Sequence, residues 1–159
     1  MANDGREFLR HTLATVAYRG GKAVREVSAD FATLKISSSS RTPVQILAHI
    51  GDLFAWALTM ARGAQEWNPA PPLPWSDEVE RFFRTVAEFD AYLASDEPLC
   101  TPAEKLFQGP VADALTHVGQ LTMQRRAFGS PVRGENYSKA EIEIGRVGRD
   151  QAAPKREFD

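Results

Sequence analysis

The chain has one cysteine, Cys100, and only three histidines. A lone cysteine excludes an internal disulfide and fits a reducing compartment. There is no surplus of positive charge: 19 Lys and Arg stand against 21 Asp and Glu, for a net charge of −2. That gives no electrostatic case for nucleic acid, which wants a basic face, and none for an anionic membrane surface. No apolar run approaches the roughly 20 residues needed to span a bilayer. The start, Met1-Ala2-Asn3-Asp4-Gly5-Arg6-Glu7, lacks the basic and then apolar pattern of a secretory signal. A glycine-rich phosphate loop is missing too, since Gly20-Gly21 is an isolated pair between Arg19 and Lys22. The expectation from these absences is a cytoplasmic protein acting on a small-molecule substrate, with neither nucleic acid nor membrane as a partner.

What is present is helical punctuation in a chain of ordinary globular composition, 43% hydrophobic and 25% charged over 159 residues. That length suits one core. Asp4 and Glu7 form a capping-box pattern ahead of Phe8, Leu9, Leu13, Val16, Ala17, Val24 and Val27, predicting a helix from about Asp4 to Val27. Thr42, Pro43 and Gln45 supply a cap, a first-position proline and a box. Leu47, Ile50, Phe54, Ala57, Leu58 and Ala61 continue that second helix to a stop at Gly63. Asn68 to Pro74 is too rich in proline for helix and reads as a stiff connector, with Trp67 and Trp75 clamping it onto the bundle. A third helix starts at Ser76 and ends at Asp96-Glu97-Pro98. Thr101-Pro102-Ala103-Glu104 caps a short helical turn that Gly109-Pro110 interrupts. The fourth helix starts at Pro110 or Val111 and stops after Arg125-Arg126 at Gly129 and Pro131. Residues 132–159 show neither period and no convincing strand pair. The fold class is therefore all-α: a four-helix bundle domain over 1–131, simplest as up-down-up-down, with an irregular tail over 132–159 that is not a separate domain.

Two of the histidines fall on separate predicted helices. His49 shares a side with Ile46, Leu53 and Trp56 and borders the apolar face. Asp113 precedes His117 by four residues, so one helix face presents a carboxylate and an imidazole together. Two imidazoles and a carboxylate make an open metal site suited to zinc, nickel, iron or manganese, with positions left for water and substrate. Spacing alone leaves the other reading standing, in which both histidines are hydrogen-bonded structural residues and Asp113–His117 is a plain helical pair. Gln120 and Gln124 extend the polar stripe and, with Trp56, are candidate cavity-lining residues. His11 has no partner by spacing. Cys100 reads as an incidental loop thiol, and Arg125 and Arg126 as helix-end cations serving the dipole.

Three stretches together resemble the DinB/YfiT-like bundle proteins: Thr42-Pro43-Val44-Gln45-Ile46-Leu47-Ala48-His49-Ile50, His117-Val118-Gly119-Gln120-Leu121, and Arg125-Arg126-Ala127-Phe128-Gly129-Ser130-Pro131. The resemblance covers roughly residues 5–131. It implies an up-and-down bundle with an unusual connection between its second and third helices, often a homodimer. It also implies a divalent metal held by one histidine on the second helix and two, spaced by four, on the fourth. His49 and His117 match the first and last of these, while Asp113 stands where the remaining histidine is expected. An oxygen ligand there shifts preference toward harder metals; the alternative is a lost site. Characterised members of that superfamily include transferases that activate a low-molecular-weight thiol on the metal, together with isomerases and hydrolases. The resemblance thus implies a metal-dependent transferase or hydrolase using an activated water or thiol. The reading kept beside it is a non-catalytic helical bundle that binds a small ligand or a protein partner.

Overall fold

The computed structural model describes residues 2–158, with side chains from residue 5 onward. Four long helices carry the fold: α1 (Ala2–Val24), α2 (Pro43–Ala61), α3 (Trp75–Ala94) and α5 (Ala112–Phe128), with a short α4 (Ala103–Leu106) before the last. α1 is already helical at Ala2, so Asp4 lies inside it and the capping box expected there falls on a side chain outside the described residues. The box at α2 forms as its sequence specifies. Thr42 Oγ1 accepts from the Gln45 amide at 3.4 Å, and Gln45 Oε1 accepts from the Thr42 amide at 2.9 Å.

α1 packs against α3 and α5, and α2 packs against the same two, so α1 and α2 face each other across the diagonal. Directions follow from which ends meet. Arg10 near the start of α1 pairs with Asp90 near the end of α3, so those two are antiparallel. Arg125 at the end of α5 donates to the carbonyls of Lys22, Ala23 and Arg25 at the end of α1, so those two are parallel. Arg81 of α3 reaches the Ala48 carbonyl and the Asp52 carboxylate of α2, while Tyr92 meets Ala61, so α2 and α3 are also parallel. Strict alternation therefore gives way to up-down-down-up. The proline-rich connector causes this. An α2 of 19 residues is about 28 Å long, and residues 62–74 at about 3.1 Å per residue reach that far when extended. The connector runs back along α2, and Trp67 on it touches both Trp56 and His49.

The core fills with Leu13, Ala17, Phe54, Phe82, Val86, Phe89 and Leu121, each at most 1% exposed. Gly20 sits inside α1 for a packing reason. A Cβ there would lie 2.5 Å from the Phe82 ring, so only glycine lets α3 approach so closely. Phe8, expected on the apolar face, is instead 61% exposed, because it sits one position off the Leu9–Leu13–Val16 stripe and stacks on Phe107. Phe31, on the loop that crosses the end of the bundle from α1 to α2, is fully buried against Trp75 and Phe128.

Three local expectations change. The Thr101 hydroxyl does not cap α4; it donates to the Met60 carbonyl at 2.7 Å, serving the end of α2. Gly109-Pro110 does not break the chain's path, because Phe107–Val111 forms a π turn that absorbs the missing proline donor and joins α4 to α5. Arg125 serves the carbonyls at the end of α1 rather than only its own helix, and its side chain is buried. Gly129, at φ 85°, closes α5 as its sequence signalled.

The tail is irregular except for a two-residue antiparallel pair missed from sequence, β1 (Gly134–Glu135) with β2 (Glu157–Phe158). It folds back onto α1 and α3: Val147 enters the core, and buried Glu135 takes bonds from Tyr18 and Lys22. By length and composition α2 alone among the described helices could cross a membrane, a property no single apolar run in the sequence revealed; 61% of that window is buried inside the bundle, as a core helix requires.

Candidate metal centre

The antiparallel pairing of α2 with α5 brings His49 level with His117, and the four-residue spacing puts Asp113 on the same face. One Asp113 oxygen lies 3.6 Å from His49 Nε2 and the other 3.4 Å from His117 Nε2. The imidazole rings meet edge to face, with centroids 4.7 Å apart. One donor atom from each of the three residues lies within 4.8 Å of the others. A metal with ligands at about 2.1 Å holds its donors about 3–4 Å apart, so a rotamer-scale movement closes the set onto one point.

The surroundings hold both imidazoles in place. His117 is 12% exposed in its side chain, and its Nδ1 meets Gln120 Oε1 at 2.8 Å. An amide oxygen only accepts, so Nδ1 carries the proton and Nε2 presents its lone pair to the cluster. This is the outer hydrogen bond that a metal-binding histidine needs for orientation. His49 is held below its ordinary value by burial first, then by His117 and Arg41, against an opposing pull from Asp113. Trp67 lies edge-on over the His49 ring at 5.7 Å. Asp113 is the open member, with its side chain 47% exposed. The donor chemistry and the outer hydrogen bond fit a divalent ion.

A cavity of about 530 Å³ opens beside the imidazoles, lined by both histidines, Gln120 and Gln124 among others. Trp56 lies apart from it and lines a neighbouring cavity of about 410 Å³ with Asp113 and Gly109. His11 is exposed on α1, across the diagonal from α2, and takes no part. Cys100 is exposed and far from the cluster in the fold, at the α3–α4 turn where its amide bonds Ala61. Trp67, expected to clamp the connector onto the bundle, does so against Trp56 and His49 and thereby reaches the site; Arg41, just before the cap of α2, is near the site with no signal in the sequence. Both come from loops without a period, so no spacing could assign them. Comparison with family models, curated proteins and solved structures returns no match for this chain.

Proposed function

We propose that the protein is a metal-dependent enzyme of the DinB/YfiT-like class, a transferase or hydrolase in which His49, Asp113 and His117 hold a divalent ion. The observation that carries this reading is the convergence of three donor side chains from two helices, at the mouth of a cavity of ligand size. When bound, such an ion supplies Lewis acidity and draws the pKa of a water or low-molecular-weight thiol toward neutrality. The chain's own residues orient the site. Gln120 holds His117 in one tautomer, Trp67 shields His49, and Asp113 brings a negative charge that offsets part of the ion's charge. Zinc, nickel, manganese and iron all accept this donor set, with the carboxylate favouring the harder members.

One observation favours a second reading, a non-catalytic bundle that binds a small ligand or partner. One Asp113 oxygen lies 3.6 Å from His49 Nε2, so the carboxylate has an imidazole partner of its own in a plain polar cluster. That reading expects Asp113 to pair with a side chain, such as an arginine; the side chains it meets are the two histidines. Metal analysis decides between the two. The purified chain, stripped with a chelator and reloaded, should retain close to one ion per chain, and His49→Ala and His117→Ala should each abolish that retention. Sub-stoichiometric metal that ignores both substitutions overturns the metal reading.

A further inference from the structure

The connector between α2 and α3 is fastened at both of its ends. At the α2 end Thr59 pins it. The Thr59 carbonyl accepts from the Ala64 and Gln65 amides at 2.8 and 3.3 Å, and its hydroxyl accepts from the Glu66 amide at 3.0 Å. That grip holds Gln65 at φ 38°, a left-handed value that a residue with a Cβ adopts only where its surroundings impose it. At the α3 end the Leu73 amide donates to Glu78 Oε1 at 2.9 Å, and Glu78 is itself buried.

Residues 67–72, between these anchors, are all exposed. Among the described residues they make no hydrogen bond to the helices; Asn68 reaches only the Glu66 carboxylate, at 3.5 Å, within the connector. Pro69, Pro71 and Pro72 lack an amide donor and have a fixed φ, so the segment is stiff and moves as one piece. It does not lie flat on α2. A cavity of about 240 Å³ is lined by Ala70 and Pro72 of the connector and by Ala48, His49 and Asp52 of α2. What ties the segment down is the ring of Trp67, which meets His49 and Trp56 edge to face, each at 5.7 Å between centroids.

We infer that residues 67–72 are a hinged strap over the His49 side of the candidate metal centre, latched by Trp67, which opens to let a small molecule reach His49 and shuts behind it. Opening breaks two ring contacts and no hydrogen bond to the helices. Two edge-to-face contacts favour the closed form by roughly tenfold to a hundredfold. That leaves about 1–10% of the molecules open, exchanging on the microsecond-to-millisecond scale of lid movements. The anchors at Thr59 and Glu78 stay in place and set the two hinges. As a gate for substrate this rests on the metal-centre reading; as a motion it is tested without metal.

The chelator-treated full chain, labelled with 5-fluorotryptophan, carries one fluorine signal for each of its 3 tryptophans, assigned by replacing Trp56, Trp67 and Trp75 with Phe one at a time. Trp67 should show fluorine relaxation dispersion with an open fraction of about 1–10%, while Trp75, packed on Phe31, stays flat. Thr59→Val removes the hydroxyl that holds Glu66 and should raise that fraction about threefold, with its thermal melt recorded to show that it folds. A second measurement reads access to His49. Carbethoxylation of His49 by diethyl pyrocarbonate, followed by mass spectrometry, should run about tenfold faster in Trp67→Ala, with the exposed His11 unchanged. A flat Trp67 signal overturns the inference, whatever the reagent does, because a fixed shield is not a gate. So does an open fraction that Thr59→Val leaves unmoved, or a His49 rate that Trp67→Ala leaves unchanged. Metal analysis of the same preparations separates the two readings: metal retained beside a flat Trp67 removes the strap and leaves the metal centre standing. Dispersion at Trp67 without metal retention supports the strap and removes the metal centre.

Discussion

Asp113 stands between two imidazoles, where a third nitrogen would make a softer and tighter site for zinc or nickel. Replacing it makes the role of the carboxylate measurable. Asp113→His should raise affinity for zinc and nickel relative to manganese, read by competition between the metals in one titration. An unchanged preference would mean that Asp113 does not touch the ion. Gln120 acts one bond further out. Gln120→Leu should weaken metal affinity about tenfold by freeing the His117 tautomer, the lower end of what outer-shell partners are worth. At this scale the sequence was informative where residues obey helical spacing, which is how His49, Asp113, His117, Gln120 and Gln124 were found. It was silent on Arg41 and gave Trp67 only as a clamp on the connector, since a loop residue reaches a site through the path of the backbone and carries no periodic signal.

The helices themselves were legible because their ends are written locally. Thr42, Pro43, Gln45 and Gly129 each act on the nearest turn, and all four behave as their chemistry dictates. Which helices pair, and in which direction, depends on long-range contacts. The parallel pairing of α2 with α3 is held by Arg81, which binds the Ala48 carbonyl and the Asp52 and Glu78 carboxylates in a largely buried setting. Glu78 in turn accepts from the Leu73 amide and anchors the end of the connector. Arg81→Met leaves two buried carboxylates without their partner, so it should cost about 3 kcal/mol in chemical denaturation. A loss under about 1 kcal/mol would show that the network is incidental to the pairing. The misreadings at Thr101 and Pro110 have the same origin. The Thr101 hydroxyl, which as a cap would accept from an amide, donates instead to the carbonyl of another helix, and a π turn absorbed a proline that local rules treat as a break.

Across the whole molecule, the tail acts as a clasp on α1. Lys22 joins Glu135 at 2.8 Å and Glu157 at 3.1 Å, and Tyr18 donates to Glu135 at 2.7 Å. Burial alone would push the Lys22 ammonium down, but the two carboxylates outweigh it and hold it above its ordinary 10.5. Burial, then the bond to Glu135, pushes the Tyr18 hydroxyl up from 10.0. Both groups hold their protons more tightly folded than unfolded, so their stabilisation is complete below about pH 10 and is lost as pH rises through the raised folded values. Thermal melts from pH 8 to 11 should therefore show Tm falling above about pH 10. Lys22→Met, which leaves the buried Glu135 charge with the Tyr18 hydroxyl but without its cation, should lower Tm at pH 8 by about 10 °C and flatten that fall. A Tm independent of pH through 11 would contradict the clasp. The central claim, that His49, Asp113 and His117 hold one ion together, is most directly tested by X-ray absorption at the metal edge of the reloaded protein. The account predicts two imidazole nitrogens and a carboxylate oxygen at about 2.0–2.2 Å, with one imidazole lost in His117→Ala. A shell of oxygen atoms alone, unchanged by that substitution, would contradict it.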